Sequence, residues 1–258
     1  LKKRLILAAL LLLTPLPTHA VLAVVQAASH QTLNATATTI GSGDGLVATG
    51  SGNLLVLTCY QPTNNTSTLA VTDSASQSGY LQAGSYASSG TTDRFAMFYK
   101  ENSASITSIT GTWSGSLVAT VPCVVYEISG AATSSSIDAT VNASQNATGT
   151  TITSGSLTTT NANDILIFGV GENANTSGWS PGAGFAIQSG GSITAGRAAT
   201  STEIVSSTQS GVTTTMSWTT TGNKIDTVFA AFKAASGVTT TGTLIGGAST
   251  IGGATVIQ

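Results

Sequence analysis

The 258-residue chain predicts an all-β fold, a two-sheet antiparallel β-sandwich of jelly-roll-like form, and three observations carry that expectation. Only 7% of the residues are charged, against roughly 25% in ordinary soluble domains, so solubility rests on Ser, Thr, Asn and Gly. Threonine suits a pleated surface and Gly, Ser and Asn suit turns, whereas the mixture suits helices poorly. Short apolar segments recur between polar turns along the whole chain, as in a sandwich. In residues 116–130, SLVATVPCVVYEISG, Leu117, Ala119, Val121, Cys123 and Val125 alternate with Val118, Thr120, Pro122, Val124 and Tyr126, and neither set is consistently polar. A strand of that kind expects cover on both faces.

Taken in order, the chain opens with an export leader. Lys2, Lys3 and Arg4 precede an apolar run from Leu5 to Leu13, then Pro15, Pro17 and a small residue at Ala20. The run is too short to span a bilayer, so residues 1–20 read as a signal peptide cut after Ala20, or alternatively after Ala23. No membrane span is expected once it is removed. The leader carries three of the 8 basic residues and none of the 10 acids, which leaves a net charge of −5. The remaining cations, Arg94, Lys100, Arg197, Lys224 and Lys233, are scattered, and that distribution sets nucleic acid aside as a partner.

Strands are expected at 23–28, 35–40, 46–49, 54–60, 69–72, 80–85, 94–99, 106–113 and 117–128, and then at 151–157, 165–170, 185–188, 192–198, 204–207, 213–219 and 224–234. Pro122 cannot donate to a ladder, so the long strand containing it needs an edge or a bulge there. The two groups of strands resemble each other. GNLLVL at 52–57 parallels ANDILI at 162–167, and Trp113 with Tyr126 parallels Trp218 with Phe232. Asn53 to Tyr126 is 73 positions and Asn163 to Phe232 is 69, by subtraction. An internal duplication is therefore expected, with halves at about 21–130 and 131–236 inside one domain, 21–236. With only 5% aromatic residues to divide, the halves are expected to interlock as one sandwich. Residues 131–146 are the candidate linker, although Ile137 and Val141 have the even spacing of an edge strand. Residues 237–258 contain IGGAST followed by IGGATV and read as a Gly/Thr-rich flexible tail.

GNLLV at 52–56, VTDS at 71–74, Glu127 followed by Ser129-Gly130, and AFK at 231–233 together resemble a widespread group of uncharacterised secreted bacterial β-sandwich domains that sit in modular extracellular proteins. The resemblance runs over about 21–235, and its motifs mark strands and turns. Ile128 stands where that group usually has an aromatic, and Ser76-Gln77 where Gly-Asn would follow the Asp-Ser turn. It implies an extracellular sandwich and carries no catalytic residues.

The inventory for chemistry is thin. His30 is the one histidine left after the leader, which counts against a Ser-His-Asp or Cys-His centre and against histidine metal sites. Cys59 and Cys123 are an even pair in an exported chain, so a disulfide is expected to compete with two buried thiols, and their spacing is not that of a zinc site. Glu127 is the acid best placed for partial burial, with a bland reading as a strand-end carboxylate held by Arg94, Lys100 or backbone N–H groups. Asp73 reads as a turn closer, and Asp44 with Asp73 as conceivable calcium ligands. No metal centre and no cofactor signature emerges.

Sugar binding needs aromatic platforms beside amides. Trp179, with Asn173 and Asn175 in its Gly/Ser/Pro loop, is the candidate, with Tyr80 and Tyr86 in a comparable place in the first half. The competing reading packs Trp179 over a sandwich end, and Trp113 and Trp218 read as core. The expected function is a non-catalytic secreted or cell-surface structural or adhesive module. A carbohydrate-binding module is the alternative, and a glycoside hydrolase or lyase the less favoured one. The partners expected are extracellular glycans or other surface proteins.

Overall fold

The computed structural model describes residues 20–90, 92–115, 119–193 and 196–236, so the leader and the 237–258 tail lie outside the described residues. Apart from one 3-10 turn, Ser42–Asp44, the regular structure described is antiparallel strand.

The first half contributes β1 (Ala23–Ala35), β2 (Ala37–Ile40), β3 (Leu54–Gln61), β4 (Leu69–Asp73), β5 (Leu81–Gln82), β6 (Arg94–Lys100), β7 (Ile109–Trp113) and β8 (Ala119–Ser129). They form a larger sheet in the order β1-β8-β3-β6-β5 and a smaller one in the order β2-β7-β4. The second half contributes β9 (Ile137–Gln145), β10 (Gly149–Thr153), β11 (Asp164–Thr176), β12 (Ser180–Pro181), β13 (Gly196–Val205), β14 (Thr215–Gly222) and β15 (Ile225–Lys233). Its sheets run β13-β11-β15-β9 and β10-β14-β12. The all-β antiparallel class is as expected, but there are four sheets where two were expected.

The reason lies in the strands that are apolar on both faces. A two-sheet sandwich leaves each sheet one solvent face, whereas β3 is buried at every position and β15 at every position but its last. Such strands need a sheet above and a sheet below. Each half supplies its own small sheet as an outer cover, and the two large sheets cover each other. Leu54, Val56, Val124, Tyr126 and Ile128 meet Ile165, Ile167, Val228, Ala230 and Phe232 in a shared core. Two outer cores flank it, one around Leu57, Ile109, Trp113 and Val125, the other around Phe168, Met216, Trp218 and Phe229. The halves therefore do not interlock strand by strand: they pack face to face. Polar bonds cross the joint too, from Tyr126 Oη to the Thr200 carbonyl at 2.5 Å and between Thr58 and Thr200 hydroxyls at 2.9 Å.

The strand orders β1-β8-β3-β6 and β9-β15-β11-β13 follow the same path, as do β2-β7-β4 and β10-β14-β12. Leu54 pairs with Ile128, and Ile165 with Phe232, all four facing the shared core. The correspondence is thus offset by one or two residues from the sequence alignment of Asn53 with Asn163 and Tyr126 with Phe232.

Residues 116–130 contribute β8, second in its sheet, with Val121, Cys123 and Val125 in one core and Val124, Tyr126 and Ile128 in the other. Its pairing with β3 ends at Cys59 opposite Cys123, so on that side Pro122 stands beyond the ladder, as the edge expectation requires; on the other side it lies opposite Gln31 of β1, one pair before the register shift between Thr32 and Ala35. Cys59 and Cys123 are joined in a disulfide across this last pair, with Cα atoms 4.2 Å apart. The candidate linker carries β9, an edge strand against β15. The strands expected at 46–49 and 185–188 are absent: in the first the backbone bonds a loop, Thr49 N–H to the Ile106 carbonyl, and in the second only Ala186 makes a single bridge, to Thr202 of β13.

Candidate functional site

Trp179 does not form an open platform. It packs on the second outer core with its ring 5.3 Å from that of Trp218, and its indole N–H is buried without a hydrogen-bond partner. Asn173 closes the β14–β15 turn, accepting from the backbone N–H groups of Asn223 and Lys224 at 3.0 and 3.1 Å and donating to the Asn223 side chain. Asn175 lies in β11, and its side chain is outside the described residues.

Tyr80 and Tyr86 border the other outer core. The Tyr80 hydroxyl donates to Asp73 at 2.7 Å, and burial with that bond raises its pKa well above the ordinary phenol value. The Tyr86 hydroxyl accepts the Leu69 N–H, its ring lies 6.0 Å from that of Trp113, and the Arg94 guanidinium stacks on it at 4.3 Å. The five residues expected to bind sugar are thus divided between the edges of two separate cores, and those with described side chains serve packing or turn closure.

The acids divide in the same way. Asp73 accepts from Ala75 N–H, Gln77 N–H, Gln77 Nε2 and Tyr80 Oη, and Asp44 from Gly41 N–H and His30 Nδ1. Both carboxylates are thus committed to closing their own turns and loops, Asp73 through four bonds and Asp44 through two. Among the described residues no group of three His, Cys, Asp or Glu side chains is placed to hold a metal.

Glu127 is buried at the end of β8 and holds three strands' ends together. It accepts Gly50 N–H, Asn53 Nδ2 and Gln26 Nε2, each at 2.6 Å. Gln26 in turn clips both backbone groups of Val47. The bland sequence reading holds in its backbone form, without Arg94 or Lys100. Glu127→Ala would leave these donors facing a void, and we expect a loss of about 2 kcal/mol in urea unfolding, by the cost of stranding donors that bond a charged group. Glu127→Gln should recover part of it.

Sequence reasoning missed the acids that are most deeply enclosed. Asp93, Asp164, Glu172 and Asp226 are all 0% exposed. Burial pushes Glu172 up to about 7, against the opposing Ala174 N–H and Arg197 charge. Burial, then the neighbouring Asp138, pushes Asp164 up to about 7. Asp138, despite its own partial burial, is held at about 2 by Thr160 and Asn161 donors. Burial, then the charge of Asp93, pushes Asp226 up to about 8. Their signal in the sequence is slight: Asp164 and Asp226 stand at the first turn into the runs DILIF and DTVFAAF. Acids sealed from solvent do not flank an open cleft, as the paired carboxyls of glycoside hydrolysis do.

A cleft of about 360 Å³ lies between Val24, Val25, Gln26 and Ala27 of β1, Asp44 and Gly45, and Gln188, Ser189 and Gly190. Asp44 is its one ionisable lining group, and that carboxylate is engaged by His30 at 2.7 Å. Such a lining can hold a chain by amides and apolar contact, but it supplies no acid–base pair. Among the described residues no helix is long and apolar enough to cross a membrane. Comparison with family models found none that matches the chain, and comparison with curated proteins found no match.

Proposed function

We propose that the chain is a non-catalytic structural or adhesive module of the extracellular space or cell surface, built as two jelly rolls joined back to back. The observation that supports this most is the shared core, which joins the halves into one block and turns the enclosed acids and large aromatics inward. The strand order 1-8-3-6 facing 2-7-4, repeated in both halves, supports the jelly-roll reading and a duplicated origin. The disulfide supports export, since such bonds persist in oxidising compartments. The resemblance to secreted modular domains points the same way.

Expressed with its own leader, the chain should be recovered outside the cytoplasm with no free thiol. Recovery in the cytoplasm with both thiols free would overturn the reading. The purified domain should retain no glycan on an array and turn over no polysaccharide. Retention of one glycan class, lost on Trp179→Ala with the fold intact, would establish the carbohydrate-binding alternative instead. On the structural reading Trp179→Ala lowers stability by about 1–2 kcal/mol, the value of a half-buried aromatic pair, and changes no binding.

A further inference from the structure

We propose that the chain carries two N-glycan attachment sites, Asn34 and Asn146, one at the same turn of each half. The sequence holds Asn-x-Ser/Thr triplets at Asn34, Asn64, Asn65, Asn142, Asn146 and Asn175. A chain rich in Ser and Thr produces such triplets by composition alone, so a triplet by itself marks nothing. Two of them share more than that. Residues 34–40 read NATATTI and residues 146–152 read NATGTTI, differing only at Ala37 and Gly149. The first string joins β1 to β2 and the second joins β9 to β10, which hold matching places in the two strand orders.

Packing accounts for the second part of each string. Ile40 and Ile152 are buried in the two outer cores, and the Thr39 and Thr151 hydroxyls meet those of Thr110 in β7 and Ser217 in β14 at 2.8 and 3.3 Å. It does not account for the asparagines. Both are exposed, and neither side-chain amide bonds another group among the described residues. Asn34 stands in the register slip between Thr32 and Ala35 with φ +53, whereas Asn146 is not left-handed, so a need for asparagine's tolerance of that region explains at most the first. Gln145 closes the second turn, donating to the Ala147 carbonyl at 3.2 Å. The two turns thus share a free carboxamide two residues before a threonine, on a surface loop, which is the pattern that an oligosaccharyl transferase reads in exported proteins. The other triplets lack that freedom. Asn142 and Asn65 donate their amide nitrogens to Ser85 and to the Gly90 carbonyl, and Asn64 is half-buried with its oxygen closed on the Thr66 N–H and hydroxyl. The side chain of Asn175 lies outside the described residues.

The chemistry is glycosyl transfer from a lipid diphosphate-linked oligosaccharide of the export membrane. The asparagine Nδ2 attacks the anomeric carbon, the new C–N bond forms as the C–O bond to the diphosphate breaks, the amide gives up one proton, and the lipid diphosphate leaves. Both sites stand at the ends of edge strands, β1 and β9 of the two large sheets. A hydrated glycan there adds solvation to a surface poor in charge and blocks pairing of those edges with another chain.

The sites rest on the extracellular reading, because the transferase meets only exported chain. The full chain is expressed with its own leader in a host whose export pathway carries an oligosaccharyl transferase, then treated with an amidase that releases N-glycans and leaves aspartate. Peptide mass spectra should read Asn34 and Asn146 as Asp after treatment and as glycopeptides before it. Thr36→Ala and Thr148→Ala should each abolish modification at the neighbouring asparagine, and Thr36→Ser and Thr148→Ser should keep it, a pattern that a purely structural role of the turns would not produce. Export with the disulfide closed and both asparagines unmodified would overturn the sites and leave the extracellular reading standing. If the chain stays in the cytoplasm with free thiols, that reading falls, and the sites are decided by presenting the purified folded chain to membranes that carry the transferase and its lipid-linked donor. Modification at Asn34 and Asn146 there upholds them, and its absence at both overturns them.

Discussion

Replacing Cys59 and Cys123 together by alanine is expected to lower the unfolding free energy by about 4 kcal/mol. The bridge spans a sequence separation of 64, and closing a loop of that length in the unfolded chain is worth about 4 kcal/mol in the chain-entropy account. Both residues are 0% exposed in the first outer core, so the lost sulfurs also leave a void. A urea midpoint read with an unchanged m-value measures the effect, and a loss below about 1 kcal/mol would refute it. A second substitution isolates the packing. Gly111 of β7 lies over the bridge, and a Cβ there would meet Cys59 Sγ at 2.7 Å and Cys123 Sγ at 3.2 Å. Gly111→Ala should therefore cost about 2 kcal/mol in the parent by overpacking and clearly less in the alanine pair, where the sulfurs are gone.

That bridge marks the boundary of what the sequence makes legible. The apolar character of residues 116–130 on both faces is visible as a string, because burial of a strand depends on its own alternation. The four-sheet arrangement is less visible, since whether a doubly apolar strand is covered by its own half or by the other depends on residues more than a hundred positions away. The same holds for the acids. Glu127 attracts notice because it continues an apolar run, and its role as an acceptor for Gly50, Asn53 and Gln26 fits that position. Asp93 and Asp226 attract none, because each looks like an ordinary strand-start acid until the halves are stacked. Packing is the favoured reading of Trp179 in its Gly/Ser/Pro loop, but nothing in that loop names the ring it packs on, Trp218, which lies about forty positions away.

The two halves differ in sequence where they touch, and that difference leads to the other large effect. With Leu54–Ile128 and Ile165–Phe232 as equivalent pairs, Thr58 and Tyr60 of β3 fall on Gly169 and Gly171 of β11. Two sheets packed face to face cannot both carry large residues at the same crossing, so small residues on one meet large residues on the other. A Cβ on Gly171 would meet Tyr60 Cδ2, Cγ and Cβ at 2.5, 2.6 and 2.7 Å, and one on Gly169 would meet Phe95 Cζ and Thr58 Cγ2 at 2.9 Å. Tyr60 Cβ is fixed to its strand and cannot swing aside, so Gly171→Ala should cost about 3 kcal/mol. Tyr60→Ala should cost about 3–5 kcal/mol by the cavity it leaves. The double variant should cost less than the sum by 1 kcal/mol or more, about the size of coupling seen between residues in contact, because the new methyl then occupies part of the vacated space. Since the two residues belong to different halves, that coupling reports on the joint itself. Additivity within about 0.5 kcal/mol would mean that the sheets move apart independently of this contact.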